Sequence, residues 1–117
     1  MEPCVFCDLI EKGLPEVTLG AGVHVLEPLN PVTEGHLLFI PREHIPYPDR
    51  QPAVAGLVMQ QAAKFVRMGD LYEPDYNLIF NAGALASQTV FHMHLHLVPR
   101  RPGDGLILPW TNQEKST

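Results

Sequence analysis

Residues 89–100 read TVFHMHLHLVPR, which sets His92, His94 and His96 at every second position of an otherwise apolar run. Read as a β-strand over residues 89–98 ending before Pro99, the segment turns Phe91, Met93, Leu95 and Leu97 to one side and the three imidazoles to the other. The apolar side demands a covering layer. The chain supplies one in Val54, Leu57, Val58, Ala62, Phe65 and Val66, which recur at steps of three and four opposite Gln60, Gln61, Lys64 and Arg67 and stop near Gly69. Asp49 is expected to cap this long helix, with Pro52 in its first turn.

Further strands are expected over residues 36–42 and 76–81, both rich in large apolar side chains. Residues 17–26 form two β-prone runs around Gly20-Ala21-Gly22 and suggest a hairpin, after which Pro28 and Pro31 force an irregular loop. Val5, Phe6, Leu9 and Ile10 have helical spacing before Gly13 and Pro15, so residues 5–12 read as a short N-terminal helix. Strands interrupted by one long helix specify an α+β fold, an antiparallel sheet with that helix on one face.

The 117 residues suit one domain with one core, taken as 1–117. No apolar run approaches the ~20 residues of a membrane span, and MEPCVFCDLI lacks the basic and apolar regions of a signal peptide, so a cytoplasmic, non-membrane protein is expected. A net charge of −5 with no basic block argues against nucleic acid as a partner.

Three functions for the histidine face compete. At ~3.3 Å per residue the outer imidazoles lie ~13 Å apart along a strand, which disfavours one ion held by all three. A merely solvated polar face is the bland alternative. Nucleophilic catalysis fits best. A neutral imidazole has a free lone pair, and attack on phosphorus leaves a reactive phosphoramidate, so the central histidine attacks while its neighbours donate to phosphoryl oxygens or fix a tautomer.

The array His92-x-His94-x-His96-Leu97-Val98 resembles the motif of the histidine triad (HIT) family. Gly35-His36-Leu37-Leu38, Ile40-Pro41-Arg42-Glu43-His44, Asn81-Ala82-Gly83 and Ser87-Gln88-Thr89-Val90 resemble further elements of that family in the same order, so the likeness runs over residues 4–110. The resemblance implies a homodimeric nucleotide hydrolase or transferase acting at an α-phosphate, on a dinucleoside polyphosphate or a nucleoside phosphoramidate. It implies His94 as nucleophile, His96 and His36 holding the phosphate, Asn81 and Gln88 donating to it, and Thr89 or Gln88 assisting the leaving group. It further places the nucleoside over Val5, Phe6, Leu9, Leu26 and Leu29. Pro28 stands where the family has an aspartate for the ribose, leaving Asn30 or Glu27 as substitutes, and Ser87 replaces a usual glycine. Pro28 is also the feature that favours a rival reading, a nucleotide-binding sensor with little turnover.

Cys4 and Cys7 form a Cys-x-x-Cys pair, half of a tetrahedral structural zinc site, and the N-terminal position does not suit the redox alternative of that motif. The resemblance implies His44 and His92 as the remaining ligands. Arg100 and Arg101 are open to two readings, positive charge for extra phosphates or a solvated end.

Overall fold

The structure, a computed structural model, describes residues 3–15, 17–69 and 75–111. Helix α1 (Val5–Glu11) is followed by strands β1 (Val17–Thr18), β2 (Val23–Leu26) and β3 (Leu37–Pro41). The long helix α2 (Pro52–Met68), β4 (Tyr76–Phe80) and β5 (Leu95–Pro99) complete the order. The strands form one antiparallel sheet in the order β1-β2-β3-β5-β4. This is the α+β architecture expected. Among the described residues no helix is long and apolar enough to cross a membrane.

Alternation in the central strands divides the sheet into two faces. Phe39, Leu95 and Leu97, all fully buried, pack with Val23 and Val25 against Val58 and Ala62 of α2, where Phe65 meets Phe39 edge to face at 5.4 Å. On the opposite face Leu38 and Ile40 pack with Phe6 of α1, and Leu9 and Ile10 lie against them. His96 stands opposite Leu38 in the ladder and therefore on this second face.

Two element boundaries differ from expectation. The last strand begins at Leu95, six residues late, because its partner runs out: the ladder ends at the Phe39–Leu95 pair, and Pro41 has no N–H with which to extend it. The backbone before Leu95 finds other partners, the Met93 N–H donating to the Ile45 carbonyl at 2.6 Å. His92 and His94 therefore precede the strand. They are not solvated either, since α1 covers them and both are at least 95% buried.

Asp49 is not the cap of α2. It lies in a 3-10 turn, Pro48–Arg50, with its carboxylate on Arg50, and Gln51 takes the capping position without a side-chain bond. Pro52 opens the helix, where its missing N–H costs nothing. Helix α1 carries a less usual cap, the Cys4 Sγ accepting the Cys7 N–H at 3.4 Å.

Candidate functional site

The three imidazoles acquire different chemistry from their hydrogen bonds. His92 must donate from Nε2, because its partner at 2.8 Å is the Pro41 carbonyl. The Nδ1 lone pair is then free, and it faces the Cys4 and Cys7 sulfurs at 3.5 and 3.6 Å. His44 Nδ1 lies 3.4 Å from the Cys7 sulfur. The four donor atoms of Cys4, Cys7, His44 and His92 all fall within 4.8 Å of one another.

A tetrahedral ion with zinc's bond lengths, ~2.3 Å to sulfur and ~2.0 Å to nitrogen, has N···S edges of ~3.6 Å, so the donors present fit such a group without rearrangement. Burial first, then the hydrogen bond and charge of Cys4, push the Cys7 thiol up to about 11. Two adjacent thiolates need a cation between them to ionise together. The cluster can hold a metal, and the anchored Nε2 of His92 orients the ligand ring.

His94 has the opposite tautomer. Its Nδ1–H donates to the His92 carbonyl at 2.9 Å, so Nε2 carries the lone pair. Burial lowers its pKa below the ordinary 6.5, which keeps the ring neutral at pH 7. Phe6 stands edge-on to both His92 and His94, at 5.7 and 5.1 Å between centroids. A buried neutral imidazole with a free Nε2 is a competent nucleophile.

The third imidazole is set by a relay. The Val32 N–H donates to His36 Nδ1 at 3.1 Å, which places the His36 proton on Nε2. That proton is donated to His96 Nδ1 at 3.0 Å, leaving His96 with its own proton on Nε2. The His96 ring centre lies 5.0 Å from that of His94. Burial, and then the nearness of His94 and His36, push His96 down to about 4, so it is a neutral donor. Both nitrogens of His36 are thus engaged within the protein, and through its Nε2–H it orients His96.

Gln88 is likewise engaged within the protein. Its Oε1 accepts the Gly83 N–H at 2.7 Å, and its Nε2 donates to the Pro46 and Val90 carbonyls at 2.8 and 3.0 Å. These bonds make the amide a brace for the turn after β4. Ser87, in place of a glycine, adopts a left-handed conformation at φ 73° to make this turn. Thr89 is exposed and lines a groove with Cys4, Val5, His44 and Phe91. Asn81 is half-buried just past β4.

Of the five residues expected to line one apolar cleft, Leu9 and Leu26 pack against the cluster of Phe6, Leu38 and Ile40. Leu9, Leu26 and Leu29 line an open groove of about 470 Å³ together with Glu27. Leu29 is fully exposed in it and Asn30 is exposed beside it, so neither belongs to the core. Phe6 also packs on the histidines, and Val5 lines the groove shared with Thr89. Glu27 is the carboxylate present where Pro28 offers none.

Both arginines after β5 are occupied. Arg100 pairs with Asp104 at 2.9 Å and donates to Asn77 and the Leu106 carbonyl. Arg101 donates to the Thr33 hydroxyl and the Glu34 carbonyl, both at 2.9 Å. Sequence reasoning gave these bonds no place, because neither spacing nor charge points to them.

The sequence and the fold have counterparts in known proteins. The adenosine 5'-monophosphoramidase of Saccharomyces cerevisiae is 32% identical over 118 residues, covering 95% of this chain and 72% of the yeast protein. A HIT family hydrolase from Clostridium thermocellum superposes with a TM-score of 0.75 at 32% identity, over 92% of this chain and 99% of that one. A zinc-bound histidine triad protein from Mycobacterium smegmatis gives 0.68 at 36% identity, over 89% and 79%. The sequence model of the HIT domain matches residues 21–103, a span that contains all three imidazoles and His36, and with them this chain belongs to the HIT family.

Proposed function

We propose that the protein is a nucleotide hydrolase or transferase that cleaves at the α-phosphate of a nucleoside phosphoramidate or a dinucleoside polyphosphate. The observation that carries this reading is the tautomer of His94. With Nδ1–H tied to the His92 carbonyl, only Nε2 can attack, and its proton-free state needs no separate base. Attack forms a P–N bond as the bond to the amine or phosphate leaving group breaks, and the leaving group departs with the former bonding pair, an amine taking up a proton from solvent as it leaves. Water then attacks the same phosphorus and gives up a proton to solvent, the P–N bond breaks, and the electron pair returns to His94 Nε2 with release of the nucleoside monophosphate. His96 Nε2–H is the neutral donor closest in kind to what a non-bridging phosphoryl oxygen requires. Asn81 and Thr89 remain candidates for donation to the phosphate and the leaving group, and Gln88 acts through the loop that it braces.

Leu9, Leu26 and Leu29 support a nucleoside site in their groove, where the Glu27 carboxylate can accept from ribose hydroxyls in place of the aspartate replaced by Pro28. The donor geometry of Cys4, Cys7, His44 and His92, with the zinc-bound relative, supports a structural zinc ion that ties α1 to the loop before α2. The outer position of β4 and the exposed Leu57 and Met59 of α2 support a homodimer that covers them. A cytoplasmic location remains part of this reading.

The test incubates wild type and His94→Ala with adenosine 5'-phosphoramidate and, separately, with diadenosine tetraphosphate. Wild-type turnover with a loss of at least ~10³-fold in the variant is expected. Equal turnover by both proteins, or none by either, overturns the assignment.

A further inference from the structure

We infer that Arg101 is a positioning residue for the His36–His96 pair, holding the loop whose backbone decides which nitrogen of His96 carries the proton. The inference deepens the phosphoryl-transfer reading above and rests on it for its kinetic consequence, though not for its structural one.

Residues 27–35 contain no helix or strand, and Leu29 and Val32 are 98% and 52% exposed. A segment with so little burial has little of its own to hold it. Among the described residues, Arg101 is the one side chain beyond His36 itself that bonds to this segment, through the Thr33 hydroxyl and the Glu34 carbonyl. Those two residues lie between Val32 and His36, and the Thr33 carbonyl in turn accepts the His36 N–H at 3.2 Å. Arg101 itself projects from a braced turn. The Asp104 carboxylate takes its N–H at 3.0 Å, together with the Arg100 guanidinium and the Leu106 N–H. His96 and Arg101 sit on the same run of chain, so a closed circuit of hydrogen bonds joins β5 to the loop and returns to β5.

The chemical consequence is one of polarity. With Val32 N–H on His36 Nδ1, His36 donates and His96 keeps Nε2–H. If the loop loosens and His36 shifts its proton to Nδ1, the bond between the two rings reverses. His96 then donates from Nδ1, and its Nε2 presents a lone pair where a donor stood. A lone pair repels an anionic phosphoryl oxygen that a proton would stabilise. Arg101 thus biases the function of His96 without touching substrate.

The test reads ring-nitrogen protonation by ¹⁵N NMR of the full chain at pH 7.5, alongside steady-state kinetics. In wild type, Nδ1 of both His36 and His96 is expected to resonate as unprotonated and Nε2 as protonated. In Arg101→Ala both histidines shift toward mixed tautomers, and kcat falls roughly 10- to 100-fold with adenosine 5'-phosphoramidate. Arg101→Lys, which can still reach one acceptor, recovers part of both. Thr33→Val, which removes one acceptor and keeps the arginine, shifts the tautomers in the same direction and serves if Arg101→Ala melts near the assay temperature. Wild-type tautomers in Arg101→Ala and Thr33→Val overturn the inference whatever the activity. Shifted tautomers in a protein whose wild type lacks turnover uphold the clamp and overturn only the enzymatic reading.

Discussion

His96 gives a quantitative expectation for acid stability. Its pKa is about 4 in the folded chain against 6.5 for the free residue, first because it is buried and then because His94 and His36 oppose a further charge. Above pH 6.5 both states are neutral and the group contributes nothing to pH dependence. As pH falls below 6.5, the unfolded chain gains a proton that the folded chain refuses, so stability drops until about pH 4, where the folded ring also takes up its proton. At 1.36 kcal/mol per unit the total loss approaches ~3 kcal/mol, of which ~2 kcal/mol has accrued by about pH 5. The perturbation is His96→Asn, whose amide oxygen can still accept the His36 Nε2–H. Urea unfolding of both proteins at pH 7.5 and pH 5.0 gives a double difference in which the other histidines and the metal cluster largely cancel. Wild type is expected to lose ~2 kcal/mol more than the variant over that interval. A double difference below ~0.5 kcal/mol, or one of opposite sign, would refute the account of His96 as a buried neutral donor.

Two further outcomes follow from the metal cluster and the turn beside it. Prolonged treatment with a chelator should lower the melting temperature and free α1, seen as faster amide exchange at Asp8, whose N–H donates to the Cys4 carbonyl, with restoration by zinc and not by magnesium; an unchanged melt would show that the four donors hold no structural ion. Ser87→Gly should stabilise by roughly 0.5–1 kcal/mol, because Ser87 occupies a left-handed conformation that glycine adopts freely, and a lower urea midpoint would contradict that origin of strain.

Much of the fold follows from periodicity. The apolar steps of three and four in α2 and the alternation through Leu95 and Leu97 determine which sides meet, and Phe39 and Phe65 meet there as that pattern requires. The same alternation is silent on where a strand starts. That boundary depended on Pro41 in a different strand, which withholds the N–H needed to extend the ladder toward His94. Asp49 misled for a comparable reason: a capping residue type marks a turn, but the acceptor has to stand one residue before the helix, and Gln51 occupies that place. The exposure of Leu29 was visible only in tertiary packing, which seats Phe6 against the histidines while Leu29 stays out in the groove.

The site was legible as a set of residue types and illegible as a set of protonation states, and the cause lies in the atoms that decide each state. His92 takes its polarity from the Pro41 carbonyl, His94 from the His92 carbonyl, and His96 from the Val32 N–H through His36. Every one of these deciding partners is a backbone group, present at nearly all positions and therefore without a signature in the sequence. A substitution of any of the three histidines thus tests a side chain, whereas the difference among them resides in main-chain atoms that substitution leaves in place. Changes to the end of β3 at Pro41 and to the loop carrying Val32 should consequently alter which ring nitrogen reacts while leaving all three imidazoles intact, and Arg101 is the side chain through which that loop can be reached.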